Sequence, residues 1–247
     1  MTVVLHQFAF SHFNEKARWA LAHKGLAHTR ETYLPGPHIS PIKKLSGQTA
    51  TPVLEMPEAV ISGSAAIIAH LEQSCPHPAL YPTDPVEKDA ALALQQHFDA
   101  VVGPAVRTVL FSALVMEGGY LTRMFAGSKS ALKRGAYRAM FPVVRPLIAR
   151  GNGVADPANV QASFTVTSET LDRVAAMTDA TGFCVGEAFS VADLTVAALL
   201  APIAGVSHPD MQRPEPMPAS VAELVGRYAR HPAIEWVNRI YARHRPA

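Results

Sequence analysis

Short β-branched or apolar runs and stretches with apolar residues every third or fourth position are segregated along this chain, mixed at its start and purely helical in period later. Residues 3–8, Val-Val-Leu-His-Gln-Phe, form a short apolar run that reads as a buried strand. The chain then turns at once into residues 11–26, where Phe13, Ala17, Ala20, Leu21 and Lys24 recur at helical spacing. Ser11 is an N-cap type whose hydroxyl can accept from an early amide. Glu15 puts an anion in the first turn, and Gly25 followed by Leu26 supplies a left-handed stop. Residues 27–34, with Thr29, Thr32 and Tyr33, give a second strand before Pro35-Gly36-Pro37, so the opening unit is βαβ. Ile39, Ile42 and Leu45 predict a short helix that carries Lys43 and Lys44 on its other side. Pro52 stands at the first position of an apolar strand, where it removes no ladder bond. With Pro57-Glu58-Ala59 as a turn, residues 53–56 and 60–61 make an antiparallel hairpin. Ile67, Ile68 and Leu71 then stripe a third helix that starts at Ser64.

From Asp84 onward the period is helical alone. Asp84 as cap, Pro85 at the first helical position and Glu87 closing a capping box mark the new region. Residues 90–116 predict one long helix kinked near Gly103-Pro104. Residues 121–150 carry Arg123, Lys129, Lys133, Arg134, Arg138, Arg145 and Arg150 and no acid. Such a stretch can attract anionic ligands or lipid headgroups, but apolar residues interleave and acids elsewhere balance the charge, which favours a solvated helix face. Residues 166–179 predict a further helix. Ser190 and Asp193 form a capping box, with Phe189 and Leu194 as a hydrophobic staple, at the entry to an apolar helix over 194–200. The Pro-rich stretch 209–218 is a loop, and 219–228 and 233–243 are closing helices.

Composition narrows the chemistry. At 247 residues, 49% hydrophobic and 17% charged, the chain can bury two small cores. A net charge of +2 points to neither a nucleic-acid nor a membrane partner. Cys75 and Cys184 lie far apart and outside any Cys-x-x-Cys pair, and the histidines form no His-Glu-x-x-His, so neither a disulfide framework nor a metal is expected. The phosphate-binding Gly-x-x-x-x-Gly-Lys-Ser/Thr and the nucleophile elbow Gly-x-Ser-x-Gly are missing. There is neither a basic-then-apolar leader nor an apolar run of about 18 residues, so the expected location is cytoplasmic.

Ser11 and Ser64 thus stand at two helix N-termini that flank one small sheet. Unpaired amides and the helix dipole both favour an anion at such a place, and a thiolate is one such anion. Taken alone, Ser11 reads as a simple cap on a surface helix, and the rest of the chain must decide. The order β-α-β-α-β-β-α, with Ser11-His12-Phe13-Asn14-Glu15-Lys16-Ala17-Arg18-Trp19-Ala20-Leu21, Thr51-Pro52-Val53-Leu54, Ser64-x-x-Ile67 and the exit Ala-Leu-Tyr-Pro-Thr-Asp-Pro over 79–85, resembles the thioredoxin-like domain of cytosolic glutathione transferases. The Ser190–Asp193 box resembles the buried N-capping box of that family's helical domain, so the likeness covers nearly the whole chain.

The resemblance implies a thioredoxin-like glutathione-binding domain over 1–78, a linker over 79–88, an all-α domain over 89–247 and a homodimer. It implies that the Ser11 hydroxyl donates to the glutathione sulfur and holds it as thiolate, where each pKa unit removed is worth about 1.4 kcal/mol. Asn14, at the position where redox relatives keep a cysteine, is a second donor, and with no cysteine at either place dithiol chemistry is excluded. The backbone of Thr51, before a cis Pro52, is implied to pair with the cysteinyl part, and Ser64 to bind the γ-glutamyl carboxylate. Gly63 replaces the Glu, Gln or Asp usual in relatives, so the contact to the glutamyl amine is missing. His38, Lys43 or Lys44 is assigned to the glycyl carboxylate. Phe98, Arg107 and Phe111 are candidates for a mostly apolar second-substrate cleft, or for packing in the helical core. The implied activity is conjugation of glutathione, as co-substrate without a metal, to small electrophilic, mostly apolar compounds. The alternatives are a non-catalytic glutathione- or ligand-binding scaffold on the same fold, and a glutathione-dependent isomerase or reductive lyase.

Overall fold

The computed structural model describes residues 3–246; Met1 and Thr2, which enter the leader expectation, and Ala247 lie outside them. The N-terminal domain is thioredoxin-like: β1 (Val4–Gln7), α1 (His12–His23), β2 (Thr29–Thr32), α2 (Ile39–Ser46), β3 (Val53–Glu55), β4 (Val60–Ser62) and α3 (Ser64–Ser74). Its mixed sheet has the order β2-β1-β3-β4, with β1 and β2 parallel and the other pairs antiparallel. Leu5 and Leu54 are partners across the β1–β3 ladder and share one core with Ala17, Ala20, Leu21, Ile67, Ile68 and Leu71. Gly25, at φ 63°, ends α1 as its sequence predicts, and the Leu26 amide reaches back to the Leu21 carbonyl at 3.0 Å.

Residues 75–84 carry no helix or strand. Asp84 then caps α4 (Pro85–His97) by accepting from the Val86 and Glu87 amides at 2.9 and 3.0 Å. The Glu87 side chain, expected to close a box there, instead lies against Gly186, where a Cβ would come within 2.8 Å of its carboxylate. The expected kink at Pro104 is a π turn, Phe98–Val102, that precedes α5 (Gly103–Leu114). The wider turn puts Pro104 in the first turn of α5, where a missing amide leaves no bond unmade.

The helical domain continues with α6 (Gly118–Ala126), α7 (Ala131–Gly151), α8 (Pro157–Thr178), α9 (Val191–Ala204), α10 (Ala219–Tyr228) and α11 (Pro232–His244). Helix α8 begins well before residue 166 because Asp156 caps it and Pro157 occupies its first position, the same signal as Asp84-Pro85. Every residue of α9 is buried. Its capping box is closed as expected, and Asp193 also accepts the Cys184 amide at 2.7 Å. Phe189 stacks on His244 with ring centroids 4.5 Å apart. Helix α9 packs on α1 as well as on α4, α5 and α11, so the two domains share one core.

Glu15 departs from its expected role. It is fully buried and accepts from Arg18 Nε and Arg245 Nε, each at 2.8 Å, so it joins α1 to the C-terminal residues rather than serving the helix dipole in water. Asp210 extends the network by accepting from Arg245 at 2.7 Å and pairing with Arg30.

Candidate functional site

Ser11 sits at the N-cap of α1 in extended backbone, half-buried, and its hydroxyl makes no capping bond. The expected return of the hydroxyl to the helix is therefore replaced by an unengaged Oγ beside the orphan amides of the first turn. Two bonds tie this helix end to the rest of the site. Asn14, fully buried, donates from Nδ2 to Thr51 Oγ1 at 3.1 Å, and the Pro52 carbonyl accepts from the Gly63 amide at 2.9 Å. The start of α1, the cis Thr51–Pro52 bond and the start of α3 thus form one hydrogen-bonded frame. Ser64, only 4% exposed, is the first residue of α3 at the far end of that frame. The Asn14 amide gives one of its two hydrogens to Thr51 and so holds Thr51 in place, a part beyond its expected one as a donor to sulfur. No sequence signal announced that bond, since the two residues lie 37 positions apart.

Gly63 has φ 92° and ψ 141°, and a Cβ there would meet nothing within 4 Å. Space is free but the backbone suits glycine, at a strain of about 1–3 kcal/mol for other residues. That strain is present with and without ligand, so it weakens folding rather than binding. Gly63→Glu is expected to lower the melting temperature while tightening glutathione, since a well-placed charge-assisted bond to the glutamyl amine is worth roughly 1.5–3 kcal/mol. Calorimetry on the folded variant that finds no gain would mean that another residue already makes that contact.

The residues assigned to the glycyl carboxylate divide. His38 is half-buried, takes the Gly36 amide on Nδ1 at 3.0 Å and packs edge-on against Phe8. Burial holds its pKa below the ordinary histidine value, against the opposing pull of the Thr49 and Leu34 carbonyls, so it is no cation at neutral pH. Lys43 and Lys44 are exposed near the end of α2.

Of the second-substrate candidates, Phe98 is 2% exposed and takes the core-packing alternative, so it does not line a cleft. Arg107 and Phe111 lie one turn apart on α5 and are partly buried. Arg107 has a buried Nε with no hydrogen-bond partner and no ion pair with any described residue. One turn earlier, a Cβ on Gly103 would come within 2.7 Å of the Phe13 ring, so this part of α5 abuts the start of α1.

His12 completes that contact and was not foreseen. It is 4% exposed, and its Nε2–H donates to the Gly103 carbonyl at 2.9 Å. Burial lowers its pKa from 6.5 to about 4, with the Gly103 carbonyl opposing and Arg107 assisting. The unfolded chain therefore binds the proton first as pH falls, and stability is lost between about pH 6.5 and 4 by on the order of 3 kcal/mol. His12→Gln, which keeps a donor and cannot titrate, is expected to flatten the denaturation midpoint over that window; an unchanged pH dependence would place the responsible proton elsewhere.

Among the described residues no group of three or more His, Cys, Asp or Glu side chains is arranged to hold a metal, and no helix is long and apolar enough to cross a membrane. Residues 5–79 match the family described as Glutathione S-transferase, N-terminal domain. That match covers the N-terminal domain, and the likeness to solved structures extends the same two-domain fold over the rest of the chain. A search of curated proteins finds no match. Among solved structures it is similar to a glutathione S-transferase from Methylobacterium radiotolerans JCM 2831 in complex with glutathione sulfonate: 19% identity over 98% of this chain and 92% of that one, TM-score 0.63. It is similar also to a glutathione S-transferase from Methylobacillus flagellatus KT with glutathione bound, at 17% identity over 98% and 95% of the two chains and TM-score 0.62. The β-etherase LigF from Sphingobium sp. strain SYK-6 matches at 19% identity over 97% and 99%, with TM-score 0.64. Identities this low carry the fold and leave the reaction to the site.

Proposed function

We propose that this protein is a glutathione transferase in which Ser11 holds the sulfur as thiolate for attack on a small electrophile. The observation that carries the proposal is the frame itself: two helix starts with unengaged amides, joined through Asn14–Thr51 and Pro52–Gly63. The sulfur sits at the start of α1, where the Ser11 hydroxyl donates to it and the dipole favours its charge. The thiol proton leaves to solvent, a sulfur lone pair forms the carbon–sulfur bond, and the leaving group departs with its bonding pair. Thr51 pairs with the cysteinyl backbone in strand fashion, Ser64 and the start of α3 take the γ-glutamyl carboxylate, and Lys43 or Lys44 takes the glycyl carboxylate. The protein acts as a homodimer in the cytoplasm.

Arg107 sharpens the second substrate. A desolvated guanidinium without a counter-charge, one turn from Phe111, suits an aromatic electrophile that carries a carboxylate. Arg107→Met is expected to raise KM for a carboxylated aromatic electrophile by about tenfold or more and to leave the neutral analogue unchanged. Equal effects on both would make Arg107 a packing residue.

Calorimetry with glutathione is the experiment on which the function turns. Failure to bind at millimolar ligand would replace the transferase by a ligand-binding scaffold on the same fold. A second reading draws on the β-etherase neighbour, because thiolate attack also opens reductive ether cleavage. Release of a phenol from an aryl ether, dependent on glutathione, would select it.

A further inference from the structure

Helix α7 is largely exposed. Of its residues only Tyr137 and Phe141 are buried, whereas Leu132, Val143, Leu147 and Met140 are 84, 78, 66 and 48% exposed. The apolar residues that interleave this basic stretch therefore largely point to solvent. At 100° per residue, Leu132, Ala136, Ala139, Met140, Val143 and Leu147 gather within an arc of about 100°, roughly 130° round the helix from the side that Tyr137 and Phe141 bury.

Charge decides what covers the arc. Lys133, Arg134, Arg138, Arg145 and Arg150 are exposed on the same helix, and no acidic residue occurs from 118 to 155. A second copy would set this acid-free cationic helix against itself. A folded partner would need a groove shaped to receive a convex helix. A fluid bilayer accepts a convex apolar wedge: Lys133 at the edge of the arc and Arg150 at its C-terminal end meet anionic headgroups directly, and Arg134, Arg138 and Arg145 on the opposite face add their attraction within a Debye length. We infer that α7 seats the protein on an anionic lipid surface, with Leu132, Met140, Val143 and Leu147 in the boundary between headgroups and acyl chains. The wedge is about 22 Å long at 1.5 Å per residue, and it lies in the membrane plane without crossing it. This departs from the expectation, drawn from net charge, that no membrane is involved: +2 over the whole chain conceals an acid-free block. It stands apart from the glutathione proposal.

The test is cosedimentation of the full chain with phosphatidylcholine vesicles, pure or mixed with phosphatidylglycerol. Binding is expected to the mixed vesicles only and to weaken as salt rises from about 0.1 to 1 M. Val143→Asp combined with Leu147→Asp is expected to lower partitioning by about tenfold or more, and Lys133→Gln or Arg150→Gln by about fivefold each. These side chains are exposed, so the melting curves should not move. No binding to mixed vesicles at low salt overturns the inference, as does undiminished binding of the double variant. Self-association that the double variant abolishes would give the face to a second copy and overturn it equally.

Discussion

Replacing Ser11 by alanine is expected to lower turnover with a generic aromatic electrophile by about 10- to 100-fold, while glutathione affinity stays nearly unchanged. One preorganised donor to an anion is worth up to about 10³ in a dry site, and less where water can stand in. Ser11 is half-buried and its Oγ is unengaged, so the lower range applies. The pH at which bound glutathione ionises should rise, because the removed bond favours the thiolate over the thiol. Affinity survives because Thr51 and Ser64 remain. Asn14→Ala should act differently: it releases Thr51 Oγ1 from its 3.1 Å bond, so KM for glutathione rises while the pH profile of kcat holds. A shifted profile for Asn14→Ala with none for Ser11→Ala would reverse the two roles. Unchanged profiles for both would leave the thiolate to the α1 amides and dipole.

Glu15→Gln is expected to destabilise the fold by about 3–5 kcal/mol, the largest effect of any single substitution considered. The Arg18 and Arg245 side chains are each 1% exposed, and the Glu15 side chain between them is 0% exposed. Glutamine keeps the shape but leaves two buried guanidinium groups to Asp210, which also serves Arg30. Burial works to raise the Asp210 pKa, but Arg18, Arg30 and Arg245 outweigh it and hold the carboxyl below its ordinary value of 3.8. Its contribution is therefore present at neutral pH and is lost only as pH falls below 3.8 through the folded value. Replacing all three buried partners by apolar residues, Glu15→Leu, Arg18→Met and Arg245→Met, should recover much of the loss, since the cost lies in the uncompensated charge. A denaturant midpoint for Glu15→Gln within about 1 kcal/mol of the parent would mean that Asp210 alone balances the cluster.

Local signals in the chain determine most of its elements. The glycine stop at Gly25, the cap at Asp84, the box at Ser190 and Asp193, and the periods of 3.6 and 2 each depend on residues within a turn or two of one another, so they can be read without knowing the fold. The Ser11 and Ser64 helix starts and Thr51–Pro52 were legible for the same reason. Tertiary structure decided what those residues touch. Asn14 bonds to Thr51, His12 to the Gly103 carbonyl, and Glu15 to Arg245, across 37, 91 and 230 positions. Phe98 and Leu147 show the same limit from the apolar side. Periodicity records that a helix face is apolar, but whether that face is covered depends on which remote element folds over it. Residue 98 meets the core, and residue 147 meets solvent.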